Sequence, residues 1–224
     1  MKRYLHRNRS NNIYYNQGQY LLKDYNSLPR PMEPEDIKKF LRKIRGRPRD
    51  KAMILILLRT GMRICELLTT KIQDINLREQ KILIFQSAKN RIGRVVYLSK
   101  DALLALRKWL KIRKQGSDYL FHGPRGGPLS YQAARLVFGK YSDKAGLSHK
   151  GYTLHCLRYT FASELLSAGI PLESLQCLMG HSSIAVTRRY ARLTNKALEK
   201  DYFDAMQKIE KGGKYGFSGN DCAI

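Results

Sequence analysis

The chain has 224 residues, 43% of them hydrophobic, and its 42 Lys and Arg stand against 18 Asp and Glu for a formal charge of +24. That length and apolar content predict one globular domain with a substantial core and a short appendage, and make two full domains a tight fit. The longest apolar run, AMILILL at residues 52–58, is far too short to span a bilayer, and the basic amino-terminal stretch lacks the apolar segment of a secretory signal.

A cytoplasmic protein without a membrane is therefore expected; association with the nucleoid follows only from a DNA partner. A charge excess of this size points to a polyanionic partner, because cationic side chains that neutralise phosphates release condensed counterions. Charge alone does not choose between DNA and RNA. Cys65, Cys156, Cys177 and Cys222 lack CxxC spacing, which suggests reduced thiols rather than a disulfide or zinc framework.

In chain order, residues 1–32 are basic, rich in Tyr and Asn, and close on LPRPMEP, whose prolines discourage regular structure. They read as an arm, a linker, or the edge of a preceding domain. From Pro34 the pattern turns helical: Glu35 and Asp36 favour the positive end of a helix, and Ile37, Phe40, Leu41 and Ile44 follow at helical spacing. A second helix, from about Asp50 to Gly61, is apolar almost all round and should lie at the centre of the core. A short helix is predicted from Arg63 to Thr70.

The β-rich runs KILIF (81–85) and RVVYL (94–98) flank the cationic loop QSAKNRIG and predict an antiparallel hairpin with Lys89 near its tip. Helices are then predicted over 100–114, 130–143, 153–168, 171–179, 183–192 and 195–210. The fold class is mainly α with a small antiparallel β-sheet (α+β). Residues 33–210 form the domain, and residues 211–224 form a Gly-rich tail.

Among the candidate functional residues, Tyr190 lies in GHSSIAVTRRYAR, next to Arg188 and Arg189. A phenol titrates near pH 10, so it attacks a phosphodiester only with help: permanent cations on the non-bridging oxygens, an acid for the leaving oxygen and a nearby base. TLHCLRYTFAS places His155 and Arg158 three residues apart on one helix, beside a buried stripe of Leu154, Leu157, Phe161 and Leu165. TGMRICELL supplies Arg63, with Glu66 one turn on to orient it or an adjacent imidazole. His181 follows Gly180 in a turn, and Ser182 and Ser183 are placed to cap the helix that bears Tyr190.

Taken singly, each of these signals has a structural explanation, but their order and spacing resemble the tyrosine recombinases, or phage integrase family, over residues 34–206. The motifs that carry the resemblance are TGMRICELL, the hairpin with Lys89, LHCLRYTFAS and LMGHSSIAVTRRY. It implies that Arg63 and Arg158 clamp the scissile phosphate, that Lys89 protonates the leaving 5′ oxygen, and that His155 acts as base. His181 would bind the phosphate, Glu66 would support the site, and Tyr190 would attack phosphorus to leave a 3′-phosphotyrosine.

Arg91, Arg94, Arg188 and Arg189 are the nearby candidates for DNA contact. The resemblance also implies double-stranded DNA as partner, a tetramer on two DNA sites, a role for accessory DNA-bending or directionality proteins, and no cofactor or metal, in agreement with the absence of a P-loop motif. The amphipathic segment Leu198, Tyr202, Ala205, Met206 and Ile209 would dock on an adjacent protomer or on its own core. Many relatives carry a core-binding domain of about a hundred residues before the catalytic one, where this chain has 32 residues. A binding-only regulator, a type IB topoisomerase-like relaxing enzyme and an RNA-packaging protein remain as alternatives.

Overall fold

The computed structural model describes residues 14–16, 19–21, 30–86, 91–180 and 195–211. The chain divides into two units, Met1–Arg30 and Pro31–Ile224. In the first, strands β1 (Tyr14–Asn16) and β2 (Gln19–Leu21) pair antiparallel, with Tyr15 opposite Tyr20. The segment read as an arm or linker thus contains a hairpin. Aromatic residues on both sides of Gly18 provide its local signal.

In the second unit, α1 (Pro34–Lys43) and α2 (Pro48–Thr60) both begin with proline in the first turn and carry acidic residues beside it. Helix α2 starts two residues before the predicted Asp50, because Pro48 is already a good first helical residue. Every residue from Ala52 to Thr60 is buried, and α2 packs on α4 (Lys100–Ile112) and α6 (Leu154–Ser167). This all-round burial is why α2 lacks a polar face. Gly61 ends it at φ 60°, and a Cβ there would lie 2.2 Å from Phe161 Cδ1, so only glycine fits.

Helix α3 (Ile64–Thr69) and a 3₁₀ turn (Ile72–Asp74) lead into a three-stranded antiparallel sheet, β3 (Ile75–Asn76), β4 (Lys81–Gln86) and β5 (Arg91–Tyr97), in that spatial order. The hairpin is as expected, whereas β3 is a strand too short to show periodicity. Ile82 pairs with Val96 and Ile84 with Arg94, which puts Arg94 in the core-facing row. The register shifts between Ile84 and Phe85, beside Arg94. Lys89 at the hairpin tip lies outside the described residues.

Helices α5 (Tyr131–Lys144) and α7 (Leu172–Met179) match their predicted spans, and the predicted helix over 183–192 lies outside the described residues. Helix α8 (Asn195–Lys211) docks on its own chain: Tyr202, Ala205, Met206 and Ile209 are buried there. Tyr202 OH donates to the Arg59 carbonyl at 2.8 Å, and Ser174 Oγ donates to Asp201 at 2.5 Å. Of the two surfaces expected for this face, its own core is the one that covers Tyr202, Ala205, Met206 and Ile209. Below Tyr202, the buried Arg59 guanidinium bridges Asp101 of α4 at 3.0 Å and Glu164 of α6 at 3.3 Å. Among the described residues, no helix is long and apolar enough to cross a membrane.

Candidate active site

The site is built where the carboxy-terminal ends of α2 and α7 meet the amino-terminal end of α3, strand β5 and helix α6. Each helix end leaves carbonyls without an intrahelical partner, and these carry partial negative charge. Arginines fill them. Arg158 donates through Nη1 to the Gly61 carbonyl at the end of α2 and through Nη2 to Met179 O at the end of α7, at 2.6 Å in the second case. Arg94 Nε donates to Leu178 O at 3.0 Å, and Arg63 Nη2 reaches Gly180 O at 3.5 Å.

One carboxylate ties the group together. Glu66, in the first turn of α3, accepts the backbone N–H of Arg63 at 2.6 Å and Arg63 Nη1 at 3.1 Å. It also takes both Nη groups of Arg94 at 2.7 Å each, in a bidentate pair. Burial works to raise the Glu66 carboxyl, but Arg94, followed by Arg63, outweighs it and holds the pKa below the ordinary value of 4.5. Three guanidiniums against one carboxylate leave a surplus of positive charge.

Arg158 feels that surplus most. It is only 5% exposed, and burial, then the charges of Arg63 and Arg94, bring its pKa down to about 10, with Glu66 opposing. It remains charged at neutral pH. His155, one turn earlier on α6, is exposed and stands edge-on to the Tyr159 ring at 5.0 Å. Desolvation, then Arg158 and Arg63, lower its pKa below 6.5, so the imidazole is neutral at pH 7 and able to accept a proton.

The structure therefore brings together five of the predicted site residues, Arg63, Glu66, Arg94, His155 and Arg158. It separates the two on α6 more sharply than the helical spacing does, with His155 at the surface and Arg158 inside, because two helix ends supply carbonyls for the buried guanidinium. Arg94, read as a DNA contact, is 11% exposed at its side chain and committed to Glu66 and Leu178, whereas Arg63 is 42% exposed. The signal for this was its alternation with Val96 in RVVYL. Gly180 makes room for it: at φ 60°, a Cβ there would lie 2.7 Å from Arg94 Nη1. The side chain of Arg91, together with His181, Arg188, Arg189 and Tyr190, lies outside the described residues.

A helical core with a three-stranded sheet along it, and arginines gathered on helix ends, defines the class: this is the catalytic-domain fold of the tyrosine recombinases. The crystal structure of XerA recombinase superposes with a TM-score of 0.63 at 29% identity, over 79% of this chain and 65% of that one. XerH recombinase, in a post-cleavage complex with a palindromic difH substrate, gives a TM-score of 0.61 at 28% identity, over 83% and 54%. Residues 30–197 match the phage integrase family, and the chain belongs to it. Tyrosine recombinase XerA of Pyrococcus horikoshii is 34% identical over 177 residues, covering 78% of this chain and 60% of the relative. The chain spans about three fifths of the length of such curated relatives.

Proposed function

We propose that the chain is a site-specific DNA recombinase, of the integrase, invertase or resolvase type, that cleaves and rejoins duplex DNA through a 3′-phosphotyrosine at Tyr190. The observation that carries this reading is the cluster of Arg63, Arg94 and Arg158 around Glu66, with neutral His155 at its edge. Such a group is suited to a phosphodiester: fixed donors stabilise the charge that develops on the non-bridging oxygens, and they need no rearrangement when it appears. The recombinase–DNA complexes among the structural neighbours support duplex DNA as the partner.

In this reading, Arg63 and Arg158 hold the phosphate, and Arg94 acts through Glu66 to keep Arg63 in place. The Tyr190 oxygen attacks phosphorus, its proton passes to His155, and the P–O5′ bond breaks as Lys89 protonates the departing oxygen. His181 completes the phosphate contacts, and Arg91, Arg188 and Arg189 engage the DNA backbone. The phosphotyrosine retains the ester's energy, so rejoining to a partner strand consumes no nucleotide. The working assembly is a tetramer on two DNA sites at the nucleoid.

The test offers the protein a random-sequence library of nicked duplexes that trap the covalent intermediate, followed by denaturing capture and sequencing. Adducts sharing a sequence in the wild type and absent from Tyr190→Phe are the expected result. DNA binding without an adduct from either protein would instead favour a binding-only role.

A further inference from the structure

The start of α1 is bonded to the segment that carries His155 and Arg158 at two points, one on each side of them. On one side, Asp36 Oδ2 accepts Tyr152 OH at 2.9 Å and Lys150 Nζ at 2.6 Å, just ahead of Thr153, the residue that opens α6. On the other, Met32 N donates at 2.8 Å to Thr160 Oγ1, which in turn donates to the Cys156 carbonyl at 2.8 Å. Glu33 N also approaches Tyr152 OH, at 3.5 Å.

Asp36 is only 3% exposed. A carboxylate placed that deep is costly, and apolar residues of similar size often stabilise a core as well or better. Burial acts to raise its pKa; Lys150 and Tyr152, followed by the charge of Lys39, outweigh it and keep it below 3.8, so the carboxylate is ionised at neutral pH. None of these bonds touches the arginine cluster, so phosphate binding does not account for them. Their shared property is directionality: they fix the axial position and rotation of the first two turns of α6, which apolar packing alone fixes less sharply.

We propose that residues 32–36 form a brace, with Asp36 and Tyr152 as positioning residues, that holds His155, together with Arg158 on the same helix, beside Arg63. The proposal deepens the recombinase reading and rests on it for its catalytic consequence. The charged groups acting on His155 are Arg158 on α6 and Arg63 at the start of α3, and the Tyr159 ring lies against it. A brace that loosens lets water reach the imidazole and lets the first turns of α6 shift relative to Arg63, relieving the desolvation and the charge that lower its pKa, and its titration reports that movement without any need for turnover.

The experiment is an NMR titration of the His155 imidazole in the full chain, assigned with His155→Gln, for the wild type, Asp36→Asn and Tyr152→Phe. The wild-type midpoint should lie below 6.5, and both variants should move it up toward that ordinary value. In trapped-substrate assays, both should slow single-turnover cleavage about tenfold, since small misplacements of a reacting group carry large rate losses, with duplex affinity unchanged. Lys150→Met, which removes one partner of Asp36 at a partly exposed position, should shift the midpoint in the same direction and decides the matter if the other two variants do not fold. An unmoved midpoint in folded variants overturns the brace. A wild type that forms no covalent adduct overturns the recombinase reading instead, and the titration still decides the brace.

Discussion

Glu66 is the residue on which the arginine cluster depends most directly. It accepts four hydrogen bonds from two arginines, and removing its charge leaves Arg63, Arg94 and Arg158 facing one another across a partly buried space. Glu66→Gln keeps the shape and loses the charge, and it should destabilise the fold by about 3 kcal/mol in urea denaturation at neutral pH. The pH dependence follows from the direction of the shift. A carboxyl whose folded pKa lies below its unfolded value of 4.5 stabilises fully above that value and loses its contribution as pH falls through the folded pKa. The stability gap between wild type and Glu66→Gln should therefore be constant from pH 7 to about 5 and close at lower pH. A gap that is the same at pH 3 and pH 7 would mean that Glu66 acts through shape alone. His155 shifts in the same direction, and its lowered folded pKa likewise costs stability as pH falls below 6.5, where the unfolded chain binds the proton more readily. A phosphate beside it should reverse that preference.

At the scale of elements, α8 offers a sharp test, because its docking surface is its own chain. The Arg59 carbonyl lies in the last turn of α2, where no intrahelical donor can reach it, and Tyr202 OH fills that gap. Tyr202→Phe removes that donor from a buried carbonyl, and should lower stability by about 1–3 kcal/mol, read as a shift in urea midpoint at constant slope. The shift should also be independent of protein concentration, as a helix exchanged with a neighbour would not be. This partner could not be read from the sequence. Leu198, Tyr202, Ala205, Met206 and Ile209 specify a face that needs cover, but helical spacing does not say which surface supplies it. The same limit explains Arg158, whose place at the edge of an apolar stripe gave no sign that two helix ends would draw it inside. Arg94 is the opposite case. Its alternation with Val96 already put it on the inward face of the strand, and its charge alone made it look like a surface contact. The helices were legible because each carries its own period and start signal, whereas β3, with two residues, has neither.

For the whole molecule, the property that matters is the charge of +24. If duplex binding is carried mainly by phosphate contacts, each contact releases about 0.9 counterion, so the logarithm of affinity falls linearly with the logarithm of salt. Roughly six or more contacts predict a loss of about a thousandfold or more between 50 and 200 mM salt, measurable by fluorescence anisotropy on a duplex of arbitrary sequence. Within that total, Arg63 should be separable from Arg94. Arg63 is the more exposed of the two, so Arg63→Gln should weaken binding and reduce the salt slope by about one. Arg94 spends its donors on Glu66 and Leu178, and Arg94→Gln should act on cleavage more than on the slope. Equal slope changes in the two variants would place Arg94 on the DNA after all and remove the positioning role argued for it. A wild-type slope near zero would mean that the charge serves something other than a polyanion, and the recombinase reading would lose its electrostatic basis.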